Sequence, residues 1–102
     1  MKTKVINNVE YEMETHDFNK TLSEIRIPEG WRLLKGHEAL MLWELKPFID
    51  WFFVEQPLKN TKDVARFGAI SVRADLYCIR GPANRNSGLG VRFCRDLKRS
   101  KL

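Results

Sequence analysis

The sequence predicts an α+β fold, with one main helix packed on a mostly antiparallel sheet of short strands. Three observations carry this expectation. A single segment, His37 to Lys46, is rich in strong helix formers and is closed by Pro47. Six or seven other short segments alternate apolar with polar residues or form brief aromatic and β-branched runs. Gly, Pro and Asn punctuate the gaps between them. The chain of 102 residues has the length of a single domain, 1–102, and its hydrophobic fraction of 43% is enough to fill one core. Those figures exclude a disordered chain, a collagen-like chain and a two-domain enzyme.

The elements follow in order. Val5-Ile6 and Val9 to Met13 flank Asn7-Asn8, a pair suited to the positive φ angles of a two-residue hairpin turn. Val9, Tyr11 and Met13 alternate with Glu10, Glu12 and Glu14, which predicts one apolar face and one wet, acidic face. Residues 15–24 are polar, with Phe18 and Leu22 spaced for one helical turn. Pro28-Glu29-Gly30 is a turn, and Trp31 to Leu34 a short strand. On the helix, Leu40, Trp43 and Pro47 share one side, widened by Ala39, Met41 and Leu42. Phe48 to Glu55 is continuously apolar and aromatic, the pattern of a strand covered on both faces. Gln56 to Asp63 is a polar loop. Val64 to Ile70 resumes as a strand whose small residues admit close approach. Asp75 to Ile79 is the next strand, Gly81 to Gly88 a loop, and Leu89 to Cys94 the last strand. Gly30-Trp31-Arg32-Leu33-Leu34 and Gly90-Val91-Arg92-Phe93-Cys94 echo each other in pattern, which leaves two related half-motifs open.

The formal charge of +5 is uneven. Residues 1–50 carry seven Lys/Arg against nine Asp/Glu; residues 51–102 carry eleven against four. The densest stretch is Arg92, Arg95, Lys98, Arg99 and Lys101. It reads either as a frayed, solubilising tail over 95–102 or as a patch for phosphate or acidic protein surface. No signal-peptide segment follows Met1, and the longest apolar run, Trp51 to Val54, is far short of a membrane span, so a cytoplasmic protein with no membrane partner is expected. Cys78 and Cys94 form no disulfide framework and no CxxC pair, and are read as buried free thiols, with a cross-link left open if their runs are neighbouring strands.

Catalytic patterns are missing: no G-x-S-x-G, no P-loop, no G-x-G-x-x-G. His16 and His37 lack the spacing and the third ligand of a metal site. No cofactor is therefore expected, and the chain is read as a non-enzyme. Trp31, Trp43 and Trp51 fall within one short stretch of sequence and are either core or a binding hot spot beside arginines. With Phe53 they make the candidate protein-binding residues.

Ile27-Pro28-Glu29-Gly30-Trp31-Arg32-Leu33-Leu34, followed by a helix carrying Glu38-Ala39-Leu40, resembles the "GWRLP, then helix" opening of a bacterial lectin-like family. Gly90-Val91-Arg92-Phe93-Cys94-Arg95 is similar to that family's closing G-x-R-x-x-R strand. The resemblance covers these two motifs within residues 27–95. It implies a fold like that of C-type lectins and sulfatase-modifying proteins, in which members mostly bind or serve as surface scaffolds. The family's proline is Leu34 here, and neither calcium motifs nor catalytic cysteines have counterparts, so neither chemistry carries over. In size, in the Trp51-Phe52-Phe53-Val54-Glu55-Gln56 and Leu89-Gly90-Val91-Arg92-Phe93 runs, and in the lack of a catalytic pattern, the chain also resembles small proteins of crenarchaeal filamentous viruses. That resemblance implies a viral accessory protein acting in the host cytoplasm.

The favoured expectation is a binding module for a protein or peptide, monomeric or homodimeric. The alternative is nucleic-acid binding through the basic second half, without a helix-turn-helix, zinc-finger or ribbon signature.

Overall fold

A computed structural model describes residues 2–83 and 86–97 of the chain. Strands β1 (Thr3–Ile6) and β2 (Val9–Glu12) form the hairpin that Asn7-Asn8 predicts. Both asparagines take positive φ, 50° and 65°, as a two-residue turn between twisted strands requires. Period two then divides β2. Tyr11 is buried, with Val9 and Met13 packed beside it. The opposite face is not simply wet. Glu10 accepts from Thr3 and Arg95, and Glu12 accepts from the Phe93 amide at 2.7 Å.

The polar stretch that follows makes its helical turn later than expected, as a 3₁₀ turn over Leu22–Glu24. There the Thr21 N–H donates to the Glu24 carboxylate at 2.8 Å. Gly30, at φ 84°, completes the Pro28 turn, and the Trp31 N–H donates to the Pro28 carbonyl. After β3 (Arg32–Leu33), helix α1 spans Gly36–Leu45. Its buried stripe is Glu38, Ala39 and Leu42. Leu40, expected on the inner side, lies about 100° round from Ala39 and is exposed.

Strands β4 (Asp50–Val54), β5 (Val64–Ile70) and β6 (Arg73–Arg80) are consecutive antiparallel neighbours. Both faces of β4 are covered from Phe52 to Val54, as its continuous apolar run predicts, whereas Trp51 at its start stays half-buried. Phe52 and Val54 join one core cluster with Phe67, Leu42, Tyr11 and Cys94; Phe53 joins a second with Val64, Leu89, Val91, Phe93 and Ile25.

The last strand differs from expectation. Leu89 to Cys94 breaks at Arg92 into β7 (Leu89–Val91) and β8 (Phe93–Asp96), which belong to different sheets. One sheet runs β1-β2-β8-β3 and the other β6-β5-β4-β7. All neighbours are antiparallel except β4 and β7. The two echoing segments are direct partners: Arg32 lies opposite Cys94 and Leu33 opposite Phe93. The β7 edge is covered by the segment around His16, whose amide and carbonyl exchange bonds with Val91 at 3.0 and 2.8 Å. The β6 edge pairs only with β5. Arg95 and Asp96 sit in β8 rather than in a frayed tail, and residues 98–102 lie outside the described residues. No helix among the described residues is long and apolar enough to cross a membrane.

A polar cluster centred on the buried Glu38 ties α1 to the first sheet. Arg32 meets both Glu38 oxygens at 2.8 and 3.0 Å and both Asp96 oxygens at 3.1 and 3.0 Å. The Tyr11 hydroxyl donates to Glu38 at 3.1 Å, and the Lys35 amide donates to it at 2.8 Å. Burial alone would push the Glu38 carboxyl up. The Arg32 guanidinium, the Lys35 amide and the Tyr11 hydroxyl outweigh it and hold the group below the usual range. The Arg32 hydrogen bond lowers Asp96 as well.

A carboxyl whose folded pKa is depressed stabilises the fold above its unfolded pKa, and this stabilisation drains away as pH falls through the folded value. Urea melts from pH 6 down to pH 3 are therefore expected to show stability falling below about pH 4.5, the ordinary glutamate value. Glu38→Gln should cost about 2 kcal/mol at neutral pH and flatten that fall. A Glu38→Gln profile parallel to the wild type would contradict the assignment.

Candidate binding face

The first face of the β6-β5-β4-β7 sheet is filled by α1 and by Tyr11 and Cys94 of the other sheet. The second face divides in two. Over β7 and one end of β4 and β5, the segment carrying Leu22, Ile25 and Trp31 closes a core on Phe53, Val64, Leu89 and Val91. Among the described residues, no element covers the remainder, across β4, β5 and β6.

Register decides what this open part presents. Arg66 lies opposite Tyr77, Gly68 opposite Trp51 on one side and Asp75 on the other, and Ile70 opposite Arg73. The irregularity between Val64 and Arg66 brings Arg80 opposite Val64 and hence onto the same face. Trp51, Arg66, Arg73, Asp75, Tyr77 and Arg80 thus share one surface. The Trp51 and Tyr77 rings stack at 5.7 Å and 26°. The Arg66 guanidinium lies 5.1 Å from the Trp51 ring and 5.3 Å from Tyr77, and Arg80 lies 5.2 Å from Tyr77. These are favourable cation–π distances. Gly68 makes this possible, because a Cβ there would overlap the Trp51 ring.

Beside this ladder an open-sided cleft of about 290 Å³ is lined by Trp51, Arg66, Asn86, Gly88 and Leu89. Arg66 Nε is buried and has no hydrogen-bond partner among the described residues. Burial first, then the charge of Arg80, push the Arg66 pKa down. Arg73 pairs with Asp75 at 3.4 Å.

The sequence-predicted residues disperse. Trp51 belongs to the open face. Trp43 packs against the helix-side core and donates its indole N–H to the Ile70 carbonyl at 3.2 Å. Trp31 borders the second core beneath the Arg95 guanidinium, 4.8 Å from its ring. Phe53 is wholly buried and presents nothing to a partner. Nearness in sequence made these residues look like one cluster, but β3, α1 and β4 carry them to separate places.

Arg92 is corrected most firmly. It is 3% exposed. Its Nη2 donates to Asp50 at 2.7 Å and its Nε to Thr15 at 3.0 Å, and Phe48 and Phe52 lie against the guanidinium at 4.4 and 5.2 Å. Such a group cannot reach a phosphate backbone. Arg95 is half-exposed but engaged, bonded to Glu10 at 2.6 Å as well as stacked on Trp31. Lys98, Arg99 and Lys101 lie outside the described residues.

Other reactive groups are tied into the fold. Cys94 is buried, and burial pushes its thiol up to about 12, which leaves it unreactive. Cys78 is a free, half-buried thiol in the other sheet. His16 Nε2 sits 2.7 Å from Glu12, and its ring meets Phe93 edge-on at 5.2 Å. This pair fastens the covering segment to β8. Among the described residues no three His, Cys, Asp or Glu side chains gather as metal ligands.

Sequence alone does not group Arg66, Tyr77 and Arg80; it places the two arginines only in the basic second half. Two signals point to them. Alternation along β5 puts Arg66 and Gly68 on one face, and a glycine inside a strand marks a large ring on its neighbour. Comparisons with family models, with curated proteins and with solved structures yield no match.

Gly68→Val should dislodge Trp51 and cost about 1–3 kcal/mol of overpacking. Near-UV circular dichroism should lose the Trp51–Tyr77 signal, and the urea midpoint should fall. An unchanged spectrum and midpoint would show that Trp51 does not lie across Gly68.

Proposed function

We propose that the protein is a non-enzymatic binding module that recognises a protein or peptide through the open part of the β4-β5-β6 face. One observation carries this: a half-buried Trp51 and an Arg66 whose buried Nε has no hydrogen-bond partner among the described residues line the same open cleft. Trp, Tyr and Arg are the side chains in which binding hot spots concentrate. Stacked rings bring large apolar area at little entropic cost, and an unpaired guanidinium leaves donors waiting for an acceptor. The face offers stacking, charge and shape.

A second reading, nucleic-acid binding, draws on Arg66, Arg73 and Arg80 around the Trp51–Tyr77 stack, because bases stack on aromatic side chains beside cations. A gel-shift salt series tests it. Affinity for an oligothymidylate should fall steeply with salt if phosphates are contacted.

The favoured reading is tested by a peptide array followed by titration of the binders. Trp51→Ala should weaken them about 30-fold, the equivalent of a 2 kcal/mol hot spot. Trp31→Ala should reduce stability and leave affinity within a few-fold. No binder at micromolar affinity, or equal binding by a folded Trp51→Ala protein, would remove this function.

A further inference from the structure

Within the open-face reading, on which this inference rests, we propose that the Arg66 cleft is a slot for a single carboxylate of the bound peptide. Arg32, Arg73, Arg92 and Arg95 each meet a carboxylate of this chain. Arg66 meets none among the described residues, and its Nε is shut off from water without a partner. Its guanidinium carbon lies 5.1 Å from the Trp51 ring and 5.3 Å from the Tyr77 ring, and the N–H donors of a guanidinium lie in its plane as a fork. A planar acceptor with two oxygens matches that geometry.

The lining sets the charge of the occupant. Among the described residues that line the cleft, Arg66 is the charged one. The Asn86 side-chain oxygen is already engaged, accepting from the Gly88 amide at 2.7 Å. One cation between the apolar walls of Trp51 and Leu89 suits one carboxylate on a short methylene stem. A phosphate monoester brings close to two charges and would find a single counter-charge. An Asp or Glu side chain and a peptide C-terminus both supply the required group. Retaining a desolvated cation without a counter-charge lowers stability, and a ligand carboxylate removes that deficit on binding.

The test follows the Arg66 Nε–H resonance in the ¹⁵N-labelled full chain, identified by its loss in Arg66→Lys. Acetate should move this resonance saturably. End-capped hexaglutamate should do so at a concentration at least tenfold lower, and end-capped hexaglutamine should leave it still. Hexaglutamine with a free C-terminus reports whether a main-chain carboxylate enters as well, and movement with either source supports the slot. Arg66→Lys should weaken hexaglutamate about tenfold or more, because an ammonium cannot offer the planar fork. Arg66→Met should fold with an unchanged or higher melting temperature and lose the carboxylate response. A melting temperature lowered by several degrees would make Arg66 a structural residue and overturn the slot. Silence toward all carboxylates would overturn it too, as would a response to inorganic phosphate or oligothymidylate at concentrations where acetate gives none. If array peptides bind through Trp51 without regard to acidity while acetate is silent, the slot falls and the face stands. If acetate moves the resonance but no peptide depends on Trp51, the slot stands and the face reading falls.

Discussion

The Arg92–Asp50 ion pair fixes the point at which the chain leaves one sheet for the other. A guanidinium is tolerated in an interior only when its charge and its donors are met. Here Asp50 supplies the charge at 2.7 Å, Thr15 takes a further donor, and the guanidinium carbon lies over the Phe48 and Phe52 rings. Asp50 opens β4, Thr15 lies in the segment that covers β7, and Arg92 separates β7 from β8. One buried cation therefore ties three parts of the chain at the junction of the sheets. With Arg92 turned inward, β7 is committed to β4 as a parallel neighbour and β8 is free to enter the other sheet between β2 and β3. That layout puts Phe93 and Leu33 into the second core, and among the described residues nothing covers the far part of the β4-β5-β6 face.

The same residue type does different work according to what lies within reach. Arg32 is clamped between Glu38 and Asp96, Arg92 is neutralised by Asp50, and Arg95 is bonded to Glu10 and stacked on Trp31. The excess of cations in the second half is therefore partly consumed by carboxylates of the first half. Asp50 takes Arg92 and Glu10 takes Arg95. What is left on the open face is Arg66 and Arg80 around Tyr77, with Arg73 beside Asp75. The functional question moves from the basic end of the chain to the middle of a sheet.

Much of this fold is legible in single residues. Asn7-Asn8 announces the hairpin because few residues accept positive φ twice in succession. The run from Phe48 to Glu55 announces a strand whose centre, Phe52 to Val54, is buried on both sides, and Gly68 announces a close approach, which proves to be Trp51. The break at Arg92 is not legible, because Leu89 to Cys94 reads as one apolar strand and its only polar residue looks like a solvent-facing arginine. Its acceptor, Asp50, is far away in sequence and is brought near only by the pairing of β4 with β7. Glu38 is hidden for the same reason: helical spacing gives it no partner, and Arg32 and Tyr11 come to it from two strands. The candidate site was half legible. Trp51 and the arginines are visible as types, whereas their grouping depends on a register that includes an irregularity between β5 and β6.

The most direct test of this account is a double-mutant cycle on Arg92→Met and Asp50→Leu, read by urea unfolding. Each single change strands or removes a buried charge and should cost about 3 kcal/mol. The double variant, with both groups replaced by apolar ones, should recover much of that loss, giving a coupling energy of about 2 kcal/mol or more. Losses that simply add, with coupling within about 0.5 kcal/mol of zero, would mean that Arg92 and Asp50 do not act as a pair at the sheet junction.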